Sequence, residues 1–513
     1  MPKVDYVRDE VKAVLPSYNL IRDCVAGELT VKKKGDKYLP RPNASDVSPE
    51  NVARYKAYTD RAVFYNVTKR TLQGLVGQVF LRDAVIEVPK LLEIVRDDAS
   101  GGGVSAEQQA KRSASHVVAY GRSGLFVDYP TVEGVTSRAD LETGKVRPTI
   151  QVYEPWRVIN WRTTSRGGRE LLSLVVLSEM YTTSDDGFEI KLAEQFRVLR
   201  LLEPTLNVEG VVDDGKEEPI TGDLVYSVEL YRKFQAGWGM VSGYPKIPLD
   251  ASGNRLSELP FVFIGSENND SRIDEPPLYD LASLNIAHYR NSADYEESSF
   301  IVGQPTPVLA GLTEDWVKDV LKGTVALGSR GAIALPEGGS ATLLQAGPNT
   351  MPFEAMEHKE RQMVALGAKL VEQKTVQRTA TEAGIDHTSE NSILASSAKN
   401  VSNAYTWAFK WCAKFVGESE DNIKFELNTE FDLTKMTPEE RRQLIAEWQA
   451  GAISFTEMRD NLRGGGVAKL DDEAAKAEID EELANAPKLD AMGNVITGNN
   501  NNQDPASAPG QTA

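Results

Sequence analysis

The sequence predicts an α+β protein, and three stretches carry that prediction. Between Ser389 and Gly417, Leu394, Ala398, Val401, Tyr405, Ala408, Cys412 and Phe415 recur at alternating four- and three-residue steps. That period lays them along one stripe of a helix. From Leu125 to Phe263 the texture is instead β-branched and aromatic, in short runs divided by Gly, Asp and Pro, as strands require. The third stretch, Pro276–Phe300, carries Leu278, Ala282, Ile286, Tyr289 and Ala293 on one helical face behind a pair of prolines.

At 513 residues the chain can bury a large core and form two or more structural units. A hydrophobic content of 41% and a charged content of 26% are ordinary for a globular protein. No apolar run approaches the roughly 20 residues that cross a bilayer, and MPKVDYVRDE is not a signal peptide, so no membrane association is expected. Cys24 and Cys412 are the only cysteines, which implies a reducing compartment and no disulfide framework. The net charge of −18 argues against a protein that grips nucleic acid, since phosphate binding needs clustered Lys and Arg. It is compatible with a wall past which DNA slides, and equally with acidity that serves solubility alone.

In chain order, residues 1–47 read as loosely structured, with KKKGDK and LPRPNASD as loop signals. The KKKGDK run could touch nucleic acid, but a solvated turn is the simpler reading. Ser48 caps a long helix with Pro49 at its first position, running to about Phe80 and broken near Gly74 and Gly77. Ser105-Ala-Glu-Gln is a capping box opening a helix that ends at Gly121. The strands expected next are LFVDY, TIQVY, WRVINWR, LLSLVVLSEMY, FEIKLAEQFRVLRLL, DLVYSVELYRKF and LPFVFIG. Val225, Ser227 and Glu229 alternate with Tyr226, Val228 and Leu230, which predicts half-buried antiparallel sheet.

After the Pro276–Phe300 helix, 301–350 reads as short strands and turns around a small helix capped by Thr313 and stopped by Gly323. A further helix carries Met356, Met363, Leu366 and Leu370 at helical spacing. The segment Gln373–Ser389 is rich in Thr, Gln and charge, and a polar connection of that length between helices is functional or disordered. Ser389 caps and Gly417 stops the striped helix, and IKFELN returns as a strand. Thr437-Pro-Glu-Glu opens a helix ending at Gly451, Ser454-Phe-Thr-Glu opens one ending at Gly464, and an acidic helix, DDEAAKAEIDEELANA, follows. The Asn/Gly/Gln/Pro/Ala-rich tail from about Pro487 to Ala513 reads as disordered.

No catalytic constellation emerges, so no enzyme, metal or cofactor is expected. A phosphate-cradling loop needs a glycine, four residues and then Gly-Lys-Ser/Thr; Thr143-Gly144-Lys145-Val146 lacks the first glycine and the hydroxyl. His116, His288, His358 and His387 are scattered, and His288 on its helix reads as an ordinary packing or surface residue. Gly121-Arg-Ser-Gly has the wrong spacing for a nucleophile elbow. Asp471-Asp472-Glu473 and Glu296-Glu297 read as solvated helix faces rather than cation sites. Asp128 reads as a turn-capping residue rather than a catalytic one.

The order of these elements resembles the portal proteins of tailed bacteriophages. PPLYDLASLN, GQPTPVLAG and LPEGGSATLLQ carry the resemblance, with FDLTKMTPEERRQLIAEWQAGAISFTEMRDNLRGGGV downstream and YGRSGLFVDYP and YEPWRVINWR upstream. It implies a portal fold: an N-terminal extended segment (1–47), a mixed α/β wing (48–275) and a stem helix (276–300). A small α/β clip (301–350), a second stem helix (351–375) and a tunnel loop (376–389) would follow. A long helix with a returning wing strand (390–436), helical crown (437–486) and disordered tail (487–513) would complete it.

The resemblance further implies a homo-oligomeric, dodecameric ring at one capsid vertex, through which double-stranded viral DNA is packaged and ejected. Terminase would dock on it, with tail adaptor, major capsid and scaffolding proteins as further partners, in the virion and in the host cytoplasm during assembly. Twelve copies at −18 each would carry about −216. Lys374, Gln377, Arg378 and Thr379 would project from the tunnel loop toward DNA, making transient phosphate contacts; the alternative is that the loop packs on a neighbour. Lys359, Arg361 and Lys369 would line the channel or pair with neighbouring subunits. A different non-enzymatic head–tail connector or assembly protein is the competing reading.

Overall fold

A computed structural model describes residues 3–129, 146–202, 224–303, 306–321, 334–344, 350–370, 392–429, 431, 438–464, 467–468, 470 and 472–485. Its class is α+β, and it divides into two units, Met1–Thr429 and Glu430–Ala513. The N-terminal stretch is helical, correcting the loose segment expected over 1–47. Helix α1 (Asp9–Ala26) buries Tyr18, Ile21 and Cys24 at three-residue steps, along one face. Helix α2 (Glu28–Lys33) and a 3-10 turn (Gly35–Lys37) hold the lysine run as a turn. Three of its four ammonium groups are taken up within the chain: Lys32 by Glu28 (3.0 Å), Lys34 and Lys37 by Asp23 (3.6 and 3.5 Å).

The long helix expected from Ser48 to Phe80 is two helices, α3 (Pro49–Arg61) and α4 (Val67–Val79). Ser48 caps α3 as expected, accepting from the Asn51 amide. The break falls at 62–66 rather than at the glycines, because Asn66 caps α4 and side chains far along the chain satisfy the opened backbone. Gly74 and Gly77 lie inside α4 with open space around them. Strand β1 (Val85–Glu87) and the short helix α5 (Glu93–Asp97) lead to α6 (Ala106–Tyr120). Ser105 and Gln108 form the expected reciprocal capping box on α6. Gly121 ends it at φ +72°, where a Cβ would lie 2.8 Å from the Glu275 carbonyl oxygen; no larger residue fits there without moving the backbone.

Eight further strands make two antiparallel sheets. The smaller orders β3–β2–β9 from β2 (Arg122–Asp128), β3 (Thr149–Tyr153) and β9 (Phe261–Gly265). The larger runs β4–β5–β6–β7–β8: β4 (Val158–Arg166), β5 (Arg169–Asp185), β6 (Ile190–Leu202), β7 (Val225–Phe234) and β8 (Gly237–Met240). Strand β7 departs from the half-buried expectation: Val225–Tyr231 is buried on both faces, Ser227 and Glu229 included. Glu229 tolerates burial because Arg200 lies 2.9 Å away and the Tyr231 hydroxyl donates to it at 3.0 Å. Asp128, expected to cap a turn, has instead a cross-sheet partner in Arg197 at 3.3 Å.

Helix α7 (Tyr279–Val302) buries the predicted Leu278, Ala282, Ile286, Tyr289 and Ala293. Strands β10 (Thr306–Ala310) and β11 (Ser340–Leu344) pair antiparallel around a wide helical turn, Trp316–Val320. The Thr313 hydroxyl accepts from the Trp316 amide there, and Gly323 lies outside the described residues. Helix α8 (Met351–Lys369) buries Met363, as does the following Leu370, with Met356 and Leu366 half-buried. Helix α9 (Ile393–Val416) buries all seven residues of the predicted stripe. Its cap is Ser392, accepting from Ala395, rather than Ser389, which lies outside the described residues; Gly417 stops it in the left-handed region. Strand β12 (Lys424–Glu426) returns to pair with β1. In the second unit, α10 (Pro438–Gln449), α11 (Phe455–Gly464) and α12 (Asp472–Asn485) follow as predicted. Ser454 and Glu457 close the α11 capping box at 2.7 and 3.1 Å. Thr437 and the tail from 486 lie outside the described residues.

Candidate functional site

The feature that invites a function is a limb built from α7, the β10–β11 hairpin and α8. Two contacts fix how the helices run. The Tyr295 and Phe353 rings lie 6.0 Å apart, and His288 Nε2 lies 3.1 Å from Glu360. As one helix ascends the other descends by the same number of residues, so they pack antiparallel along α7's length of about 36 Å.

The root of the limb is held by buried polar side chains of α7. Asn285 Oδ1 accepts from the Thr68 amide and hydroxyl at 3.1 and 2.9 Å, while its Nδ2 donates to the Tyr65 carbonyl at 2.8 Å. Ser292 accepts from the Val63 amide at 3.0 Å. The α3–α4 break is thereby satisfied by α7. Farther out, the Tyr58 hydroxyl donates to Asp294 at 2.6 Å and Arg61 pairs with Glu297. These polar partners were not among the sequence-predicted site residues. Polar residues inside the apolar period of α7 are their one sequence signal.

Beyond Ala293 no described side chain of α7 is buried, and none of the hairpin is. On α8, Met363 alone is buried among the described side chains. Large apolar side chains are exposed along this outer part: Phe300, Ile301, Leu343, Met351 and Phe353.

The three basic residues assigned to α8 do not form one row. At 100° per residue, Arg361 points directly away from the Met356–Met363–Leu370 stripe and is exposed. Lys369 lies on its flank, exposed, whereas Lys359 falls over the packed stripe and is half-buried. Glu354 and Glu357 share the outward side with Arg361, so the face is mixed in charge. Lys374, Gln377, Arg378 and Thr379 lie outside the described residues.

The densest internal cluster of ionisable groups lies between the two sheets. Arg197 meets Glu179 at 2.7 Å and Asp128 at 3.3 Å, and the Tyr153 hydroxyl donates to Glu179 at 2.6 Å. Burial pushes the Glu179 carboxyl up, but the Arg197 charge and hydrogen bonds outweigh it and leave it below the ordinary carboxylate range. For Asp128 burial wins, and its carboxyl is raised. The guanidinium is shared between both acids, one on each sheet, so the cluster ties the sheets together. Cys24 and Cys412 are buried free thiols. Among the described residues no group of three His, Cys, Asp or Glu could hold a metal, and no helix is long and apolar enough to cross a membrane.

Residues 277–416 match a family described as a domain of unknown function, DUF4055. The matched span begins two residues before α7 and ends with α9. No curated protein matches. Among solved structures the chain is similar to one from the virion of a native gene transfer agent particle: 16% identity, TM-score 0.39, covering 87% of this chain and 100% of that one. It is likewise similar to one from the neck of the empty particle, computed with C6 symmetry (15%, 0.39, 79% and 91%). A third lies in the neck of the native particle, computed with C12 symmetry (14%, 0.38, 85% and 98%).

Proposed function

We propose that the chain is a portal subunit, copies of which close into a ring around double-stranded viral DNA at one vertex of a capsid. The observation that carries this is the limb: a helical pair anchored by buried polar bonds at its root and apolar along its uncovered outer part. A monomer gains nothing from that surface, whereas head-to-tail neighbours in a ring would cover it on every subunit. The order of sequence motifs supports the same reading.

The mechanism is geometric. The α7–α8 pairs would form the channel wall, and the hairpins at their far ends would present a docking surface to terminase and then to tail adaptors. Lys374, Gln377, Arg378 and Thr379 would narrow the channel, with phosphate contacts too few to hold DNA against sliding. Arg361 and Lys369 face outward from α8, toward the lumen or a neighbour.

The test is negative-stain electron microscopy of the purified full chain, with native mass spectrometry for copy number. Closed rings with an opening that admits duplex DNA are expected. A monomer or dimer under all conditions would overturn the reading. Deleting 377–383 should leave rings intact and impair packaging or DNA retention.

A further inference from the structure

Strands β5 and β6 outrun their sheet. Strand β4 pairs with β5 only as far as Leu177, and β7 pairs with β6 only from Gln195 onward. Residues 178–194 therefore continue as a two-stranded ribbon about 20 Å long. Such a ribbon is marginal in water without a covering partner.

The register shows what one of its faces would be covered for. Met180, Ile190 and Leu192 share a face with Val176, Phe196 and Val198, where their direct cross-strand partners are Glu194, Asp185 and Thr182. At the root that face is packed: Val176, Phe196 and Val198 join Val4, Ile159 and Tyr231 in one cluster. Farther out no described residue covers it. Met180 is 48% exposed, Ile190 and Leu192 57% each, and Phe188 at the tip 101%. Asp185, Asp186 and Glu189 surround Phe188, all exposed. The face that is packed at the root thus carries three apolar side chains into solvent, each opposite a polar one, and ends in an acidic, aromatic tip.

We propose that this arm docks on a second copy of the same chain, at the β4–β5 turn, where Arg162, Arg166 and Arg169 are exposed. Charge complementarity selects that occupant, and geometry excludes the chain's own turn. The two ends lie at opposite ends of β5, about 50 Å apart along a single strand, so one chain cannot bring them together. A contact between unlike ends is heterologous, the type that propagates around a ring. Arg169 already stands 3.6 Å from Glu258, yet keeps 75% of its side chain exposed. The inference rests on the ring reading above.

The test uses the full chain and mass photometry across a concentration series. Phe188→Ser/Ile190→Ser/Leu192→Ser should raise the concentration for half-assembly at least tenfold while far-UV circular dichroism stays unchanged, since all three side chains are exposed. Glu189→Arg, which leaves the Asp185 and Asp186 turn bonds in place, should weaken assembly in the same direction. Adding Arg162→Glu and Arg169→Glu to it should restore at least half of the loss. Wild-type rings together with a triple-serine variant that assembles equally well would overturn the arm and leave the ring standing. Absence of assembly in the wild type would remove the ring reading itself. Failure of the swap to rescue would place the arginines elsewhere, for instance on the acidic run 203–223 that follows β6 in sequence, and would also overturn the proposed partner.

Discussion

Replacing Asn285 with Ala should release the root of the limb. The side chain is fully buried and makes three hydrogen bonds, two received from Thr68 and one given to the Tyr65 carbonyl. Alanine leaves the Thr68 amide without its partner in a buried site, at about 1–3 kcal/mol, while the Tyr65 carbonyl keeps the Val67 amide and the Thr68 hydroxyl can rotate toward another acceptor. A loss of about 1–3 kcal/mol is expected, a large share of what holds a domain folded. The assay is native-state hydrogen exchange at the amides of Val63 and Thr68, which reports opening of this segment without requiring two-state unfolding. A loss of 2.8 kcal/mol corresponds to about a hundredfold faster exchange, at 1.4 kcal/mol per factor of ten. Exchange at Thr68 within threefold of wild type would refute the reasoning, since it would mean that water already satisfies these groups.

Three further outcomes follow from burial and backbone geometry. Burial holds the His116 imidazole below its ordinary value, to about 4, with Glu154 opposing and Arg112 adding to the shift. The unfolded chain therefore takes up the proton first, and stability should fall as pH drops from about 6.5 to about 4, by at most about 3 kcal/mol. His116→Gln should flatten that part of the denaturation-against-pH curve, and an unchanged slope would show that other groups cause it. Gly121→Ala should cost about 1–3 kcal/mol, read by thermal unfolding, because φ +72° is strained for alanine and its Cβ would meet the Glu275 carbonyl. The thiols of Cys24, pushed up by burial to about 12, and Cys412, raised by the same cause, should resist a thiol-labelling reagent in the native chain and react after denaturation. Fast labelling of the native chain would contradict the packing of α1 or α9.

Much of the fold was legible because it is local. The α9 stripe, the Ser48 cap, the Ser105 and Ser454 capping boxes and the Gly121 and Gly417 stops each depend on residues within one or two turns. The strands between Leu125 and Phe263 were legible from composition, though not their division into two sheets. Helix α1 was overlooked because loop signals at 32–46 lie beside a helix whose buried face is completed by α7, more than 250 residues on. The α3–α4 break was misplaced for the same reason: Asn285 and Ser292 supply its hydrogen bonds. Of the candidate site, the helices were legible, but the orientations of Lys359, Arg361 and Lys369 relative to one another emerged only once the packed stripe of α8 was known.

By itself, then, the sequence determined the α+β class, the helices with their caps and stops, and the antiparallel strand runs. Period and capping are properties of neighbouring residues, and one chain carries both halves of each such interaction within a few positions. Tertiary structure alone decided which polar groups are buried, where α3 gives way to α4, that β7 is covered on both faces, and that the limb and the β5–β6 ribbon are left uncovered. Those outcomes depend on partners hundreds of residues apart. Burying Asn285 or Glu229 is tolerable only where the fold brings the matching donor within about 3 Å.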